Sequence, residues 1–313
     1  MKKISILIPA YNEEETLRKL YDRLLTLMDR MIDYEFEILF VNDGSRDNTL
    51  KVIKNLREED ERISYLHLSR NFGKEIAMIA GLDFASGDCT VIMDADLQDP
   101  PELIIDMVKH WEEGYDDVYA KRRTRDGETW LKKITSKEFY KILQKTTRIE
   151  IQKDTGDFRL LDKRCVEALK KFRESQRYTK GMFSWIGYNK KEILFDRDKR
   201  VAGETKWNYF KLINLAIEGI TSFTTFPLRI ASFLGIILAF VSFMYIILII
   251  SKTLLFGEHV KGYPSIMAAI LFLGGVQLIS LGIIGEYIGR IFNESKHRPL
   301  YFVDEYNNEK INF

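Results

Sequence analysis

Over the first 120 residues the apolar positions follow two periods in turn. Lys3 to Ile8, Phe36 to Val41, Ile63 to Leu68 and Asp88 to Met93 are short runs rich in Ile, Val, Leu and Phe. That is the pattern of strands buried on both faces. Between them the spacing becomes helical: Leu17, Leu20, Leu24, Leu27 and Met31 predict a helix over Glu13 to Met31, with acids in its first turn. Further helices are predicted from Asp47 or Asn48 to about Glu59, from Gly73 to Ala85, and from Pro100-Pro101 to near Gly114. Pro9 is expected to end the first strand, and Asp117 to Ala120 to form a fifth. Strand and helix alternating through short connections predict an α/β fold, an open, mostly parallel, doubly wound sheet of Rossmann-like type.

Ligands of such sheets bind outside the carboxyl ends of the strands. Three polar clusters fall at that rim: Pro9-Ala10-Tyr11-Asn12, Asn42-Asp43-Gly44-Ser45 and Asp94-Ala95-Asp96. The last is the most informative, because a β-branched apolar run, Thr90 to Met93, ends in two carboxylates one residue apart. Two hard oxygen donors in that place suit Mg²⁺ or Mn²⁺, shared with the phosphates of a nucleotide. The bare D-x-D tripeptide is also a common turn or helix cap; the two neighbouring clusters are what point to a site.

The pattern changes in the last third. Ile230 to Ile250 and Ser265 to Gly285 are each 21 residues without a charge, long enough to cross a hydrocarbon core as helices. Lys206, Lys211 and Arg229 precede the pair and Arg290, Lys296 and Arg298 follow it, while the connector Ser251 to Pro264 carries Lys252 and Lys261. This bias predicts a multi-pass protein of the inner or plasma membrane, with the catalytic part and both termini cytosolic. The start, MKKISILIPAYNEEE, is apolar only briefly and then acidic, so it reads as a strand and not a signal peptide. The expected organisation is 1–206 as the α/β domain, 207–229 as a juxtamembrane amphipathic helix, 230–289 as the membrane hairpin and 290–313 as a cytosolic tail.

Composition adds exclusions. The 313 residues allow one large domain plus an appendage, and two cysteines, Cys89 and Cys165, are too few for a disulfide framework. His67, His110, His259 and His297 are scattered without metal-ligand spacing. No nucleic-acid partner is expected. Lys121 to Arg148 holds ten Lys or Arg against three Asp or Glu, interleaved with Trp130, Leu131, Phe139 and Leu143. It reads either as a solvated helix face or as an interfacial helix on anionic lipid. Trp207 to Phe226 is a second interfacial candidate.

The runs IPAYNEEE, VNDGSRDNT, SRNFGKEIAMIAGLDFASGD and VIMDADLQDPPE resemble inverting family-2 glycosyltransferases of the GT-A fold. More narrowly they resemble the polyprenyl-phosphate group, of dolichol-phosphate mannose synthase and GtrB-type glucosyltransferases. The resemblance runs from Ile4 to about Trp207, and the two apolar segments match the GtrB-type arrangement. It implies that Pro9, Tyr11 and Glu13 meet the nucleotide base and that Asp43 contacts the uridine portion. It implies that Asp94 and Asp96 bind the metal with Gln98 beside them, and that Asp157, in TGDFRL, faces the reacting centre. Arg200 and Lys206, in KRVAGETK, would bind the lipid phosphate, with Gly203 allowing close backbone approach. Simpler roles stay open. Asp43 serves equally as a turn residue, Asp157 as a local hydrogen-bond acceptor, and Arg200 and Lys206 as charges at the bilayer surface. Asn71 and Lys74 stand either near the nucleotide or at the start of the Gly73 helix.

The activity implied is transfer of a hexose, glucose before N-acetylglucosamine, from a UDP-sugar to undecaprenyl phosphate. It would proceed by metal-dependent single displacement at the cytosolic membrane face, supplying a lipid-linked sugar for cell-envelope glycosylation, and the resemblance also suggests a homo-oligomer. A processive polysaccharide synthase fits less well, since the chain has no Q-x-x-R-W run and only two spans. A non-catalytic sensor of nucleotide sugar, or a lipid carrier, would not need Asp94 and Asp96.

Overall fold

Nine strands form one sheet in the computed structural model, which describes residues 1–123, 155–175, 177, 179–196, 226–256 and 262–311. In chain order they are β1 (Lys2–Ala10), β2 (Tyr34–Asn42), β3 (Ile63–Leu68), β4 (Cys89–Ile92), β5 (Asp117–Arg122), β6 (Thr155–Asp162), β7 (Lys190–Phe195), β8 (Val303–Tyr306) and β9 (Glu309–Lys310). Across the sheet the order is β7-β5-β6-β4-β1-β2-β3-β8-β9. The central strands β3, β2, β1 and β4 are parallel. On one flank β6 enters antiparallel between β4 and β5, with β7 parallel to β5 beyond. On the other flank β8 runs antiparallel to β3. The Rossmann-like α/β reading therefore holds, with antiparallel strands added at both sides of the parallel centre.

Helices cover both faces. Ile4, Ile6 and Ile8 of β1 point to one side and join a core with α1 (Leu17–Met28), α2 (Thr49–Glu59) and α4 (Ile104–Glu112). The other side takes α3 (Lys74–Phe84), whose Gly81 lies so close to Leu7 that a Cβ there would sit 2.0 Å from its Cδ1. The short helices α5 (Lys163–Lys170) and α6 (Thr179–Trp185) follow β6. Burial of these Ile, Leu and Val side chains on both faces of the central strands stabilises the sheet by roughly 1.5–3 kcal/mol per side chain.

Two boundaries differ from the sequence pattern. The first helix begins at Leu17, because Glu13 to Thr16 form a turn in which Thr16 N–H donates to the Glu13 carbonyl (3.1 Å). Pro9 does not end β1; it pairs in register with Val41. Ala10 accepts from Asp43 N–H on the β2 side, so Pro9 turns its nitrogen toward β4. There the ladder already stopped at Leu7 and Ile92, and no donor is missed.

The chain divides into two compact units, residues 1–215 with 299–313, and residues 216–298. The segment expected as a tail, 290–313, is therefore split. One helix runs on to Ser295, while β8 and β9 belong to the sheet. Four residues after a long helix carry too little local pattern to reveal a strand, and β8 exists because β3 offers it an open edge. It is fastened there by Glu305, whose carboxylate pairs with Lys54 (2.7 Å) and accepts from the Tyr65 hydroxyl.

The second unit holds α7 (Phe226–Phe256) and α8 (Tyr263–Ser295), of 31 and 33 residues, which pack on one another. Phe233, Ile236, Leu254, Leu278 and Ile291 are among their many exposed apolar side chains. Both helices are long and apolar enough to cross a membrane by length and composition, over 230–252 and 272–295. Beyond Arg123, the basic stretch to Arg148 lies outside the described residues, as do residues 207–225, Arg200, Gly203 and Lys206.

Candidate active site

The site grows from the carboxyl ends of the parallel strands. The loop after β1 turns at Asn12, which adopts φ +57°, a value asparagine tolerates better than most residues. Its N–H donates to Ser45 Oγ (3.0 Å), and its side-chain oxygen accepts from Arg46 N–H (2.9 Å). The Pro9–Asn12 and Asn42–Ser45 clusters are thus laced into one rim. Tyr11 stands exposed on it. The Glu13 carboxylate accepts from Thr16 Oγ1 (2.9 Å), at the entrance to α1.

Gly44 and Asp43 join this rim to the next loop. Gly44 sits at φ +62°, and a Cβ there would meet the Arg70 backbone at 2.4 Å, so no other residue fits without moving the loop. Asp43 is buried, and its two carboxylate oxygens accept from the N–H groups of Phe72 (2.7 Å) and Gly73 (2.9 Å). Burial pushes its pKa above the usual carboxylate range, while these two donors and Arg70 oppose the rise. Asp43 is thus more than a turn residue: it holds the turn that launches α3 and so sets the first residue of that helix, Lys74.

From there Lys74 reaches across the sheet. Its ammonium lies 2.5 Å from Asp94 Oδ1, at the end of β4, and 2.6 Å from Asp157 Oδ2, on β6. Strands β4 and β6 are neighbours, which brings two carboxylates 63 positions apart in sequence onto one nitrogen. Loss of water around the ammonium works against its charge, but Asp94 and Asp157 overcome this and hold its pKa well above the ordinary lysine range. The side chain is still 42% exposed, so the carboxylates and not burial set its state.

Asp94, Asp96 and Gln98 are half-buried and alternate with buried Ala95, Leu97 and Asp99. Asp96 Oδ1 accepts from Gln98 N–H (3.2 Å), and Leu97 between them adopts φ +60°. A buried leucine in that conformation costs on the order of 1–3 kcal/mol, strain of a kind that clusters at functional sites. Among the described residues no three His, Cys, Asp or Glu side chains converge as a ready-made metal cage.

A buried ion pair lies two positions further along β6 from Asp157. Arg159, on the same face of β6, is fully buried against Asp117 (3.0 Å) and lies 3.7 Å from the Phe183 ring of α6. Beside Asp157, Glu75 accepts from Thr179 N–H (3.3 Å). Burial first, and the charge of Asp157 as well, push the Glu75 pKa up to about 7.

The structure thus brings Asp94 and Asp157 onto one cation, sets Asp96 and Gln98 beside Asp94, and places Pro9, Tyr11, Glu13 and Asp43 along the connected rim. Lys74 was visible in the N-F-G-K run only as a residue with two possible roles, and Glu75 carried no signal.

Comparison with known proteins identifies the family. Residues 5–170 match the glycosyl transferase family 2 model, and residues 226–291 match that of the GtrB C-terminal hairpin. The chain is 52% identical over 303 residues to an uncharacterized glycosyltransferase of Synechocystis sp., covering 97% of this chain and 95% of that protein. It is 46% identical over 308 residues to the bactoprenol glucosyl transferase of Shigella phage SfV, covering 98% and 99%. It is 44% identical over 301 residues to a prophage bactoprenol glucosyl transferase homolog of Escherichia coli K12, covering 96% and 98%. The protein belongs to glycosyltransferase family 2: an enzyme of the GT-A fold that carries a GtrB-type C-terminal hairpin.

Proposed function

We propose that this enzyme moves one glucose from UDP-glucose to a polyprenyl phosphate, undecaprenyl phosphate in the first instance, at the cytosolic face of the membrane. The observation that carries the reading is the pair Asp94 and Asp157 on a single ammonium, with Asp96 two positions from Asp94, in a chain with two helices long enough to cross a bilayer. Its near full-length likeness to a bactoprenol glucosyl transferase supports the choice of sugar and acceptor.

Asp94 and Asp157 share the Lys74 ammonium, and Asp96 adds a further carboxylate two positions from Asp94. The donors are all oxygen, the Lys74 ammonium already stands in as a cation on Asp94, and the absence of a complete cage among the described residues suits Mg²⁺ or Mn²⁺ shared with a diphosphate. Asp94 and Asp96 would hold it, and it would balance the charge developing on the departing diphosphate. The acceptor phosphate is already ionised near neutral pH, so no strong general base is required. One of its oxygens forms the bond to the anomeric carbon as the bond from that carbon to the UDP phosphate oxygen breaks, inverting the centre to a β linkage. In this reading Asp157 orients the acceptor or faces the positive charge at the anomeric carbon. Tyr11 and the Asp43 loop flank the uridine, and Arg200 and Lys206 bind the lipid phosphate.

Strands from both chain ends share one sheet, and two spans lie between them, which supports placing both termini on one side of the membrane. A homo-oligomer belongs to the same proposal and is checked by light scattering of the detergent-solubilised protein. The deciding assay supplies undecaprenyl phosphate with UDP-[¹⁴C]glucose, UDP-N-acetylglucosamine or GDP-mannose, with and without EDTA, and identifies the lipid product by mass spectrometry. Labelled glucosyl lipid lost with EDTA is expected; no glycolipid from any donor would end the proposal.

A further inference from the structure

Lys74 stands where the proposed metal must bind. We propose that it is an exchangeable counter-cation. In the nucleotide-free enzyme its ammonium occupies the Asp94 carboxylate, and the divalent cation binds tightly only together with the nucleotide diphosphate, which draws the ammonium away. The inference rests on the reading of Asp94 and Asp96 as the metal pair.

Three observations carry it. First, Asp94 and Asp157 come from adjacent strands and both reach one nitrogen, at 2.5 and 2.6 Å. Without a cation between them these like charges repel, so the pair needs one, and the lysine supplies it. Second, the lysine's backbone is fixed and its side chain is not. Lys74 opens α3 behind Gly73 at φ +98°, and the Phe72 and Gly73 amides are held by Asp43. Its long side chain is 42% exposed and is held at its tip by the two carboxylates, so it has room to move once one of them takes another cation. Third, the charges compete. A divalent cation on Asp94 repels an ammonium at hydrogen-bond distance from the same carboxylate. Metal alone must displace Lys74 from Asp94 with no new partner offered, whereas a diphosphate gives the ammonium an anion to move to. Metal and nucleotide therefore bind with positive coupling, and by linkage each strengthens the other by the same factor.

The test uses the full-length enzyme in detergent, with Mn²⁺ as probe and free Mn²⁺ read by electron paramagnetic resonance, with and without saturating UDP. In the wild type, UDP is expected to tighten Mn²⁺ binding roughly tenfold or more. In Lys74→Met, nucleotide-free Mn²⁺ binding is expected to tighten by about tenfold and the effect of UDP to shrink to the part that comes from the diphosphate's own contact with the metal. Lys74→Arg, which keeps the charge, is expected to bind Mn²⁺ as weakly as the wild type without UDP. An unchanged or weaker nucleotide-free affinity in Lys74→Met overturns the inference, as does equal tightening in Lys74→Arg. Equal wild-type affinity with and without UDP overturns it without recourse to any substitution. If the wild type binds no Mn²⁺ even with UDP, the metal reading falls and takes this inference with it. Wild-type binding that persists with a silent Lys74→Met removes this inference alone.

Discussion

The two ends of the sheet hold carboxylates in opposite ways. Toward the amino ends of the strands, Glu37 is buried and accepts from Ser5 Oγ (2.5 Å), Ser86 N–H (3.1 Å) and Ser86 Oγ (2.8 Å). Its close hydrogen-bond donors are neutral and short and knot β1, β2 and the end of α3, while the Lys3 ammonium lies farther off, 3.9 Å from Oε1. At the carboxyl ends, Asp94 and Asp157 share the one ammonium of a long, partly exposed side chain. The first arrangement holds its carboxylate mainly through hydrogen bonds from short, neutral groups. The second balances charge with a partner that is able to leave, which is what a site that admits a metal and a diphosphate requires. A cavity of about 640 Å³ opens at the amino ends, between Lys3, Tyr34, Glu37 and Arg62. Size alone would draw attention there, but the charge arrangement locates the chemistry at the other end.

Substitutions at the two ends should therefore separate activity from stability. Asp96→Asn at the carboxyl end is expected to lower turnover on the order of 10³-fold while the protein remains folded, because it removes ligand charge without changing shape. Near wild-type turnover in a lipid-glucosylation assay would break the distinction. Glu37→Ala at the amino end should do the reverse. Loss of the acceptor leaves three donors of Ser5 and Ser86 unpaired, at a cost of roughly 1–3 kcal/mol. A lower Tm with unchanged turnover per folded molecule is the expected pair of results; a selective loss of turnover would show that this end also serves the reaction.

The smallest effect concerns pH. The Glu75 carboxyl has a pKa of about 7 in the folded chain against an ordinary 4.5. Between those values the folded state holds more of the proton than the unfolded state, so this group makes stability fall as pH rises through that window. Glu75→Gln keeps an acceptor for Thr179 N–H and removes the titration. Its Tm relative to the wild type should climb between pH 5 and pH 8, and a difference that stays flat across that range would contradict the assignment.

Much of this was legible before any coordinates. The central strands and α3 sit close to where apolar periodicity placed them, and Asp94 and Asp96 fall at the rim that a strand-end argument requires. Asp47 accepts from Thr49 N–H (3.0 Å) at the start of α2, as one of the two predicted caps. The strands that escaped notice are paired at long range. β6 takes its place between β4 and β5 after a long intervening segment, and β8 attaches to β3 from the far end of the chain. Neither partner leaves a trace in local spacing. The same holds for Asp43, whose side chain looked like a turn former and instead clamps amides about 30 positions away.

By itself the sequence determined the elements, the donor chemistry of Asp94 and Asp96 and the two apolar helices, because periodicity, residue type and run length act between neighbours along the chain. Only the tertiary structure decided that Lys74 bridges Asp94 and Asp157, that Asp43 aims that lysine, and that the last residues complete the sheet. Those arrangements depend on which strands lie side by side, and strand order is settled by packing the whole core at once.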